Sequence, residues 1–277
     1  MSLRDEACFK DLAGALHAHA GERPIVEIVN SGNWGDALIH AGQREFLRDL
    51  GITVHAVPIR HFRRANTLKR RVTNFIRRNL GARRAIITGN GAFRPFYKRA
   101  EEMALAAQSF SRVLVMPSSL SLVPDFDLAR TELWRRDHGE SVTGAANAPF
   151  CHDMAFYLRP RARRATKKEA FLFRADFEKG DFELPEGSVD LSAQGTHLSD
   201  PEEFLDIIGD YEVIHTNRLH VGIGGALLGR EVHLYPSRTG KLRSIFEASL
   251  QPFYENVHYH DDEADVARLG AGGGRVL

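Results

Sequence analysis

The chain has 277 residues, of which 43% are hydrophobic and 26% charged, the composition of a soluble globular enzyme with room for one large or two medium domains. It has no apolar run of the ~18 residues that a membrane-spanning helix needs, its start carries acids and no apolar signal-peptide core, and its two cysteines, Cys8 and Cys151, are too few and too far apart for a disulfide framework. The net charge of +1 conceals an asymmetry: Arg60 to Arg84 holds ten basic residues and no acid.

Taken in chain order, strand and helix patterns alternate, which predicts an α/β architecture with mostly parallel sheets. Pro24 to Val29 reads as a first strand, Asn30 to Asp36 as a turn, and Ala37 to Leu50 as a helix with Asp36 as its N-cap and Gly51 as its stop. Ile52 to Pro58 reads as a second strand, with Ala85 to Thr88 and Arg112 to Met116 as short buried ones. Between them, Leu68, Val72, Phe75, Ile76 and Leu80 recur at helical spacing, with Arg70, Arg71, Arg77 and Arg78 opposite. That pattern describes a cationic amphipathic helix. It suits either an anionic membrane surface or packing on a sheet with a solvated basic face.

Residues 159 to 168 are basic and aperiodic and read as a linker, which places an N-terminal domain at 1–160 and a C-terminal domain at 168–277. A second series of strands follows at Phe171 to Phe173, Tyr211 to Ile214 and Glu231 to Tyr235. Two such series predict two Rossmann-like domains facing across a cleft. Ligands in these sheets bind beyond the carboxyl ends of the strands.

The segments following the strands carry the chemistry. His215-Thr216-Asn217-Arg218-Leu219-His220 opens a helix of small residues, so a cation, imidazoles and a helix N-terminus converge as an anion site would require. A capped and packed strand–helix junction would use the same residues. Arg174 directly follows a strand pattern, where a surface salt bridge is the plain alternative. Asp36 is a candidate catalytic carboxylate, and helix capping alone is the plain alternative that would explain it. His258-Tyr259-His260-Asp261-Asp262 and Cys151-His152-Asp153 offer ligand types without a second cluster at metal spacing, so no metal is expected.

Three motifs in register, Asn30-Ser31-Gly32-Asn33-Trp34-Gly35-Asp36, Gly89-Asn90-Gly91 and Thr216-Asn217-Arg218-Leu219-His220, resemble the polysaccharide pyruvyltransferase family over residues 25 to 245. The resemblance implies a fold similar to GT-B glycosyltransferases and transfer of a pyruvyl group from phosphoenolpyruvate to two hydroxyls of a sugar, giving a ketal. It implies donor contacts from Arg218, Arg174, Asn217, Gly89 and Gly91. It further implies acceptor contacts from Asn33, Trp34 and Gly35. His220 is then the candidate general acid and Asp36 the candidate base.

No cofactor beyond the donor phosphoenolpyruvate is implied. The acceptor would be a surface-glycan sugar or its lipid-linked oligosaccharide precursor. That places the protein in the cytoplasm, peripheral to the inner membrane face through residues 60–84. Nucleic acid is not an expected partner, since the basic segment lacks an array of stacking aromatics. Two other functions use the same architecture: a glycosyltransferase taking a nucleotide sugar, and a non-catalytic protein that binds anions or glycans.

Overall fold

The computed structural model describes residues 3–21, 25–62, 84–91, 93, 98–122, 126–139, 145 and 147–271. The cationic helix expected within 60–84 lies largely outside the described residues. The chain divides into two compact units, one of residues 1–31 and 42–157, the other of residues 32–41 and 158–277.

In the first unit, α1 (Ala7–Ala20) buries Phe9, Leu12, Leu16 and His19, the spacing of a single helical stripe. Five parallel strands follow: β1 (Ile25–Val29), β2 (Val54–Pro58), β3 (Arg84–Ile87), β4 (Arg112–Ser118) and β5 (Thr131–Arg135). Their order across the sheet is β2-β1-β3-β4-β5, so the winding reverses between β1 and β3. β4 is buried at every position after Arg112, as an inner strand covered on both faces must be. Phe93, Met103, Phe110, Val113 and Val115 build the core on one side of it.

A helix, α2 (Trp34–Asp49), crosses the division between the units: its residues to Ala41 cluster with the second unit and those from Gly42 with the first. It starts three residues earlier than the sequence pattern suggests. Asp36 is therefore inside its first turn rather than its cap. α3 (Arg99–Ala107) completes the described helices of the first unit.

The second unit holds four parallel strands in simple order, β6 (Lys167–Phe171), β7 (Tyr211–Thr216), β8 (Glu231–Leu234) and β9 (Val257–Tyr259). β6 occupies the end of the segment expected to be a linker. Its first three residues are exposed because it is an edge strand, which makes a strand look like a polar connector. β9 likewise lies within the segment that offered metal-ligand types.

Helix α4 (Pro201–Gly209) is capped by Asp200, whose side chain accepts from the Glu202 N–H at 2.9 Å. α5 (Leu219–Leu227) explains its own small residues: a Cβ on Gly222 would come within 2.7 Å of Leu234, and one on Gly225 within 2.7 Å of Val232. Those glycines let the helix lie directly on β7 and β8. α6 (Lys241–Ile245) and α7 (Ala264–Ala271) close the unit. No described helix is long and apolar enough to cross a membrane.

Candidate functional site

Parallel pairing of β6 with β7, with Phe171 opposite His215, brings the chain segments after both strands to one sheet end. The Thr216 hydroxyl ties them together, donating to the Leu172 carbonyl at 2.6 Å and accepting from the Arg218 N–H at 2.9 Å. Asn217 adds a second tie, its Oδ1 accepting the Arg174 N–H at 2.8 Å. A hydroxyl two residues before Arg218 thus shapes the turn. The residue holding Arg174 in place is the one between them.

Both arginines are 6% exposed, and both are oriented by carboxylates. Arg218 forms a fork on Asp190, with Nε 2.9 Å from Oδ1 and Nη2 on Oδ2, and Nη2 also lies 2.9 Å from Asp176. Arg174 donates from Nε to Asp176 at 2.9 Å and pairs through Nη2 with the buried Glu178, which Lys241 approaches at 3.7 Å. Burial would raise the Asp176 carboxyl, but the Arg174 and Arg218 charges and its hydrogen bonds outweigh that and hold it below the usual range.

Three cations and three carboxylates make this cluster charge-balanced, which lowers the cost of burying the guanidiniums. Its donors are not all used. Among the described residues, Nη1 of neither arginine has a hydrogen-bond partner, and the Nδ2 of Asn217, 1% exposed, is a buried donor with none. An unmade hydrogen bond at a buried amide costs roughly 1–3 kcal/mol, and a ligand oxygen would remove that cost. Arg218 stands at the N-cap of α5, so the first N–H groups of that helix open at the same place.

His220, the second residue of α5, meets the first turn of α2. A Cβ on Gly35 would sit 2.8 Å from His220 Nδ1 and 2.9 Å from its Cβ, so the absence of a side chain at 35 admits the imidazole. Gly32 has the same function toward Asp36, whose carboxylate occupies the space a Gly32 Cβ would need. Neither glycine has a positive φ. Close approach, not left-handed backbone, is what these positions require.

Asp36 accepts the Asn33 N–H at 2.8 Å, the reciprocal arm of a capping box, so the carboxylate expected to cap the helix does so from its third position. Asn33 itself bridges to Thr196. Trp34 is 7% exposed, donates to the Asp200 carbonyl at 2.8 Å and covers Gly195. Its indole anchors the turn. His197 completes the support, exchanging backbone and ring hydrogen bonds with Gly32 at 3.1 and 3.2 Å.

Asp36, Asn33, Trp34, Gly35, Arg174, Asn217, Arg218 and His220 therefore all belong to the second unit. Gly89 and Gly91 belong to the first. There the Gly89 N–H reaches Gln43 Oε1 at 3.3 Å, and Gln43 donates to the buried Glu27 at 2.7 Å. Asn30 spans the β1–β3 switch point, bonding the Thr88 hydroxyl at 3.0 Å and the Thr88 carbonyl at 3.1 Å, while its Oδ1 has no partner among the described residues. Sequence reasoning missed this network, as it missed Asp176, Glu178 and Asp190. A glutamate inside an apolar strand pattern, Glu27, was the available signal. For the carboxylates there was none, since they sit in irregular loops.

The model of a family described as polysaccharide pyruvyl transferase matches residues 33–236. A crystal structure of an uncharacterized protein from Klebsiella pneumoniae subsp. pneumoniae is similar with a TM-score of 0.73 at 20% identity, covering 93% of this chain and 100% of that one, a likeness of fold. No curated protein matches significantly.

Proposed function

Because the chain belongs to the polysaccharide pyruvyl transferase family, we propose that it moves the pyruvyl group of phosphoenolpyruvate onto two hydroxyls of a glycan sugar, releasing phosphate and leaving a cyclic ketal. The observation that carries this reading is the pair of buried, carboxylate-oriented arginines with unused Nη1 donors beside the orphaned Asn217 Nδ2. Phosphoenolpyruvate is a compact phosphate and carboxylate, and planar guanidinium donors match both groups. In a charge-balanced cluster, binding rests on unmade hydrogen bonds and the α5 N-terminus rather than on net charge.

Chemistry at this site would begin with proton transfer from His220 to C3 of the enol, which makes C2 electrophilic. One sugar hydroxyl adds to C2, giving its proton to Asp36. Phosphate leaves with its oxygens stabilised by Arg174 and Arg218. The second hydroxyl closes the ring and loses its proton. The contact of Gly35 with His220 supports a placement of the proposed acid beside the turn assigned to the acceptor. Acceptor binding by Asn33 and Gly35 and donor contact from Gly89 and Gly91 belong to the same proposal, with a lipid-linked glycan at the inner membrane face as acceptor class.

Thermal shift tests the donor. Phosphoenolpyruvate stabilises the wild-type protein and uridine or guanosine diphosphate does not. Arg218→Lys, which preserves the charge balance but loses the fork, abolishes most of that shift while leaving the unliganded melting temperature within a few degrees. Stabilisation by a nucleoside diphosphate instead would replace this reading with nucleotide-sugar transfer.

A further inference from the structure

The sheet of the first unit carries a row of arginines at the end opposite Asn30 and Gly89, where its strands begin. Arg84 opens β3, Arg112 opens β4, and the two are register partners. Arg130 immediately precedes β5, and its carbonyl accepts the Val113 N–H at 2.9 Å. Neighbouring strands run about 4.8 Å apart, so three guanidinium-bearing residues stand side by side across β3, β4 and β5. The end of α1 covers this row. Arg84 donates from Nη1 to the His19 carbonyl at 2.6 Å, and the His19 ring donates from Nε2 to the Ala85 carbonyl at 2.9 Å.

A cavity of about 360 Å³ opens between that helix and the strand starts, a size that accepts a small organic molecule. Ala15, His19, Val113 and the 64% exposed Leu128 line it, with Arg112 and Arg130 as its cations. Arg112 is exposed and, among the described residues, makes no hydrogen bond or ion pair. Arg130 directs Nε at 2.6 Å and Nη2 at 2.5 Å to Asp127, which leaves Nη1 unused. Glu132 also lines the cavity, its Oε1 accepting the Trp134 indole N–H at 2.7 Å. The guanidiniums of Arg84, Arg112 and Arg130 thus outnumber the carboxylates of Asp127 and Glu132. His19 adds no charge at neutral pH: burial, against its bond to Ala85, draws it down to about 4, and Arg84 and Arg112 act in the same sense as burial.

From this arrangement we propose that the first unit holds an anion site of its own, which takes the phosphate monoester of a ligand with an apolar body. An unpaired guanidinium presents parallel N–H donors that match two phosphate oxygens. Arg112 supplies that fork, Arg130 adds Nη1, and the apolar body lies on Ala15, Val113 and Leu128. Removing Leu128 and its neighbours from water favours an organic phosphate over the bare ion. A lipid headgroup and a soluble organic phosphate offer the same chemistry here. The site lies in the first unit and does not use Arg174 or Arg218, which belong to the second.

The test is phenylglyoxal labelling of the full chain, read arginine by arginine by peptide mass spectrometry, with phenyl phosphate as the probe. At ten times its Kd, phenyl phosphate slows labelling of Arg112 about tenfold by mass action. Arg48, whose side chain is 73% exposed, serves as the unprotected control. Inorganic phosphate protects Arg112 with lower affinity. Arg130→Ala weakens the protection about tenfold, as the loss of one charge-assisted hydrogen bond implies. Arg218→Lys leaves it intact, so failure here and failure of the phosphoenolpyruvate reading are distinguished. Phosphatidylcholine vesicles carrying phosphatidic acid separate the sources: protection of Arg112 by the vesicles as well assigns a lipid headgroup, and protection by phenyl phosphate alone assigns a soluble ester. Three results overturn the proposal: no saturable protection by phenyl phosphate up to about 10 mM, equal slowing at Arg48, or equal affinity for inorganic and phenyl phosphate. Protection of Arg112 that disappears in Arg218→Lys does so too.

Discussion

Acidification should weaken the second unit through one side chain, His233. Parallel register places His215, His233 and His258 in one row across β7, β8 and β9. His215 and His233 stack at 4.8 Å with planes 9° apart, and His260 closes the group, its Nε2 lying 3.0 Å from His233 Nδ1. His215 is satisfied as a neutral ring, donating from Nε2 to Glu169 at 2.8 Å and accepting the Tyr235 hydroxyl proton on Nδ1 at 2.9 Å. His233 is drawn down to about 4 by burial and then by the imidazoles of His215, His260 and His258, with Glu231 opposing them.

In the unfolded chain His233 takes its proton near pH 6.5, while the folded chain refuses it until about pH 4. Between those values the unfolded state binds more protons, so stability is full above pH 6.5 and is lost as pH falls. The two pKa values imply a loss of about 2 kcal/mol by pH 5. His19 in the first unit, drawn down to about 4 mainly by burial, imposes a similar loss, so wild-type acid sensitivity alone does not identify the source. The informative quantity is the difference between wild type and His233→Gln in urea denaturation at pH 7.5 and pH 5.0. Wild type should lose about 2 kcal/mol more than the variant over that interval. Equal losses in the two proteins would refute the assignment to His233.

Gly42→Ala should cost about 3 kcal/mol, because the new Cβ would overlap the backbone carbonyl of Met154, which has no flexible end to move; the fall in denaturation midpoint measures it. Gly35→Ala should lower phosphate release from phosphoenolpyruvate at least tenfold with a much smaller change in melting temperature, since it displaces His220 rather than a core residue. Arg136, 1% exposed, pairs with the fully buried Asp153 and donates to Ser119 at 3.1 Å. Arg136→Met should therefore cost about 3–5 kcal/mol, and Arg136→Met combined with Asp153→Leu less than that single change.

Much of the fold was legible locally. Runs such as Ile25 to Val29 and Arg112 to Met116 read as strands because inner parallel strands are apolar on both faces. The arginine–histidine turn was visible because a strand, a hydroxyl, a cation and a glycine-rich helix stand within a dozen residues. Reading failed where exposure disguised an element, at edge strand β6, and where a cap acts from inside its helix, at Asp36.

By itself, the sequence determined the alternation of strands and helices and the family motifs, including the arginine–histidine turn, because these depend on neighbours a few positions apart. Only the tertiary structure decided which distant residues meet. It put residues 32–41 with the second unit, balanced Arg174 and Arg218 with Asp176, Glu178 and Asp190, and aligned three histidines across a sheet. The physical reason is that periodicity records which side of an element is buried. It carries no information about which other element does the burying.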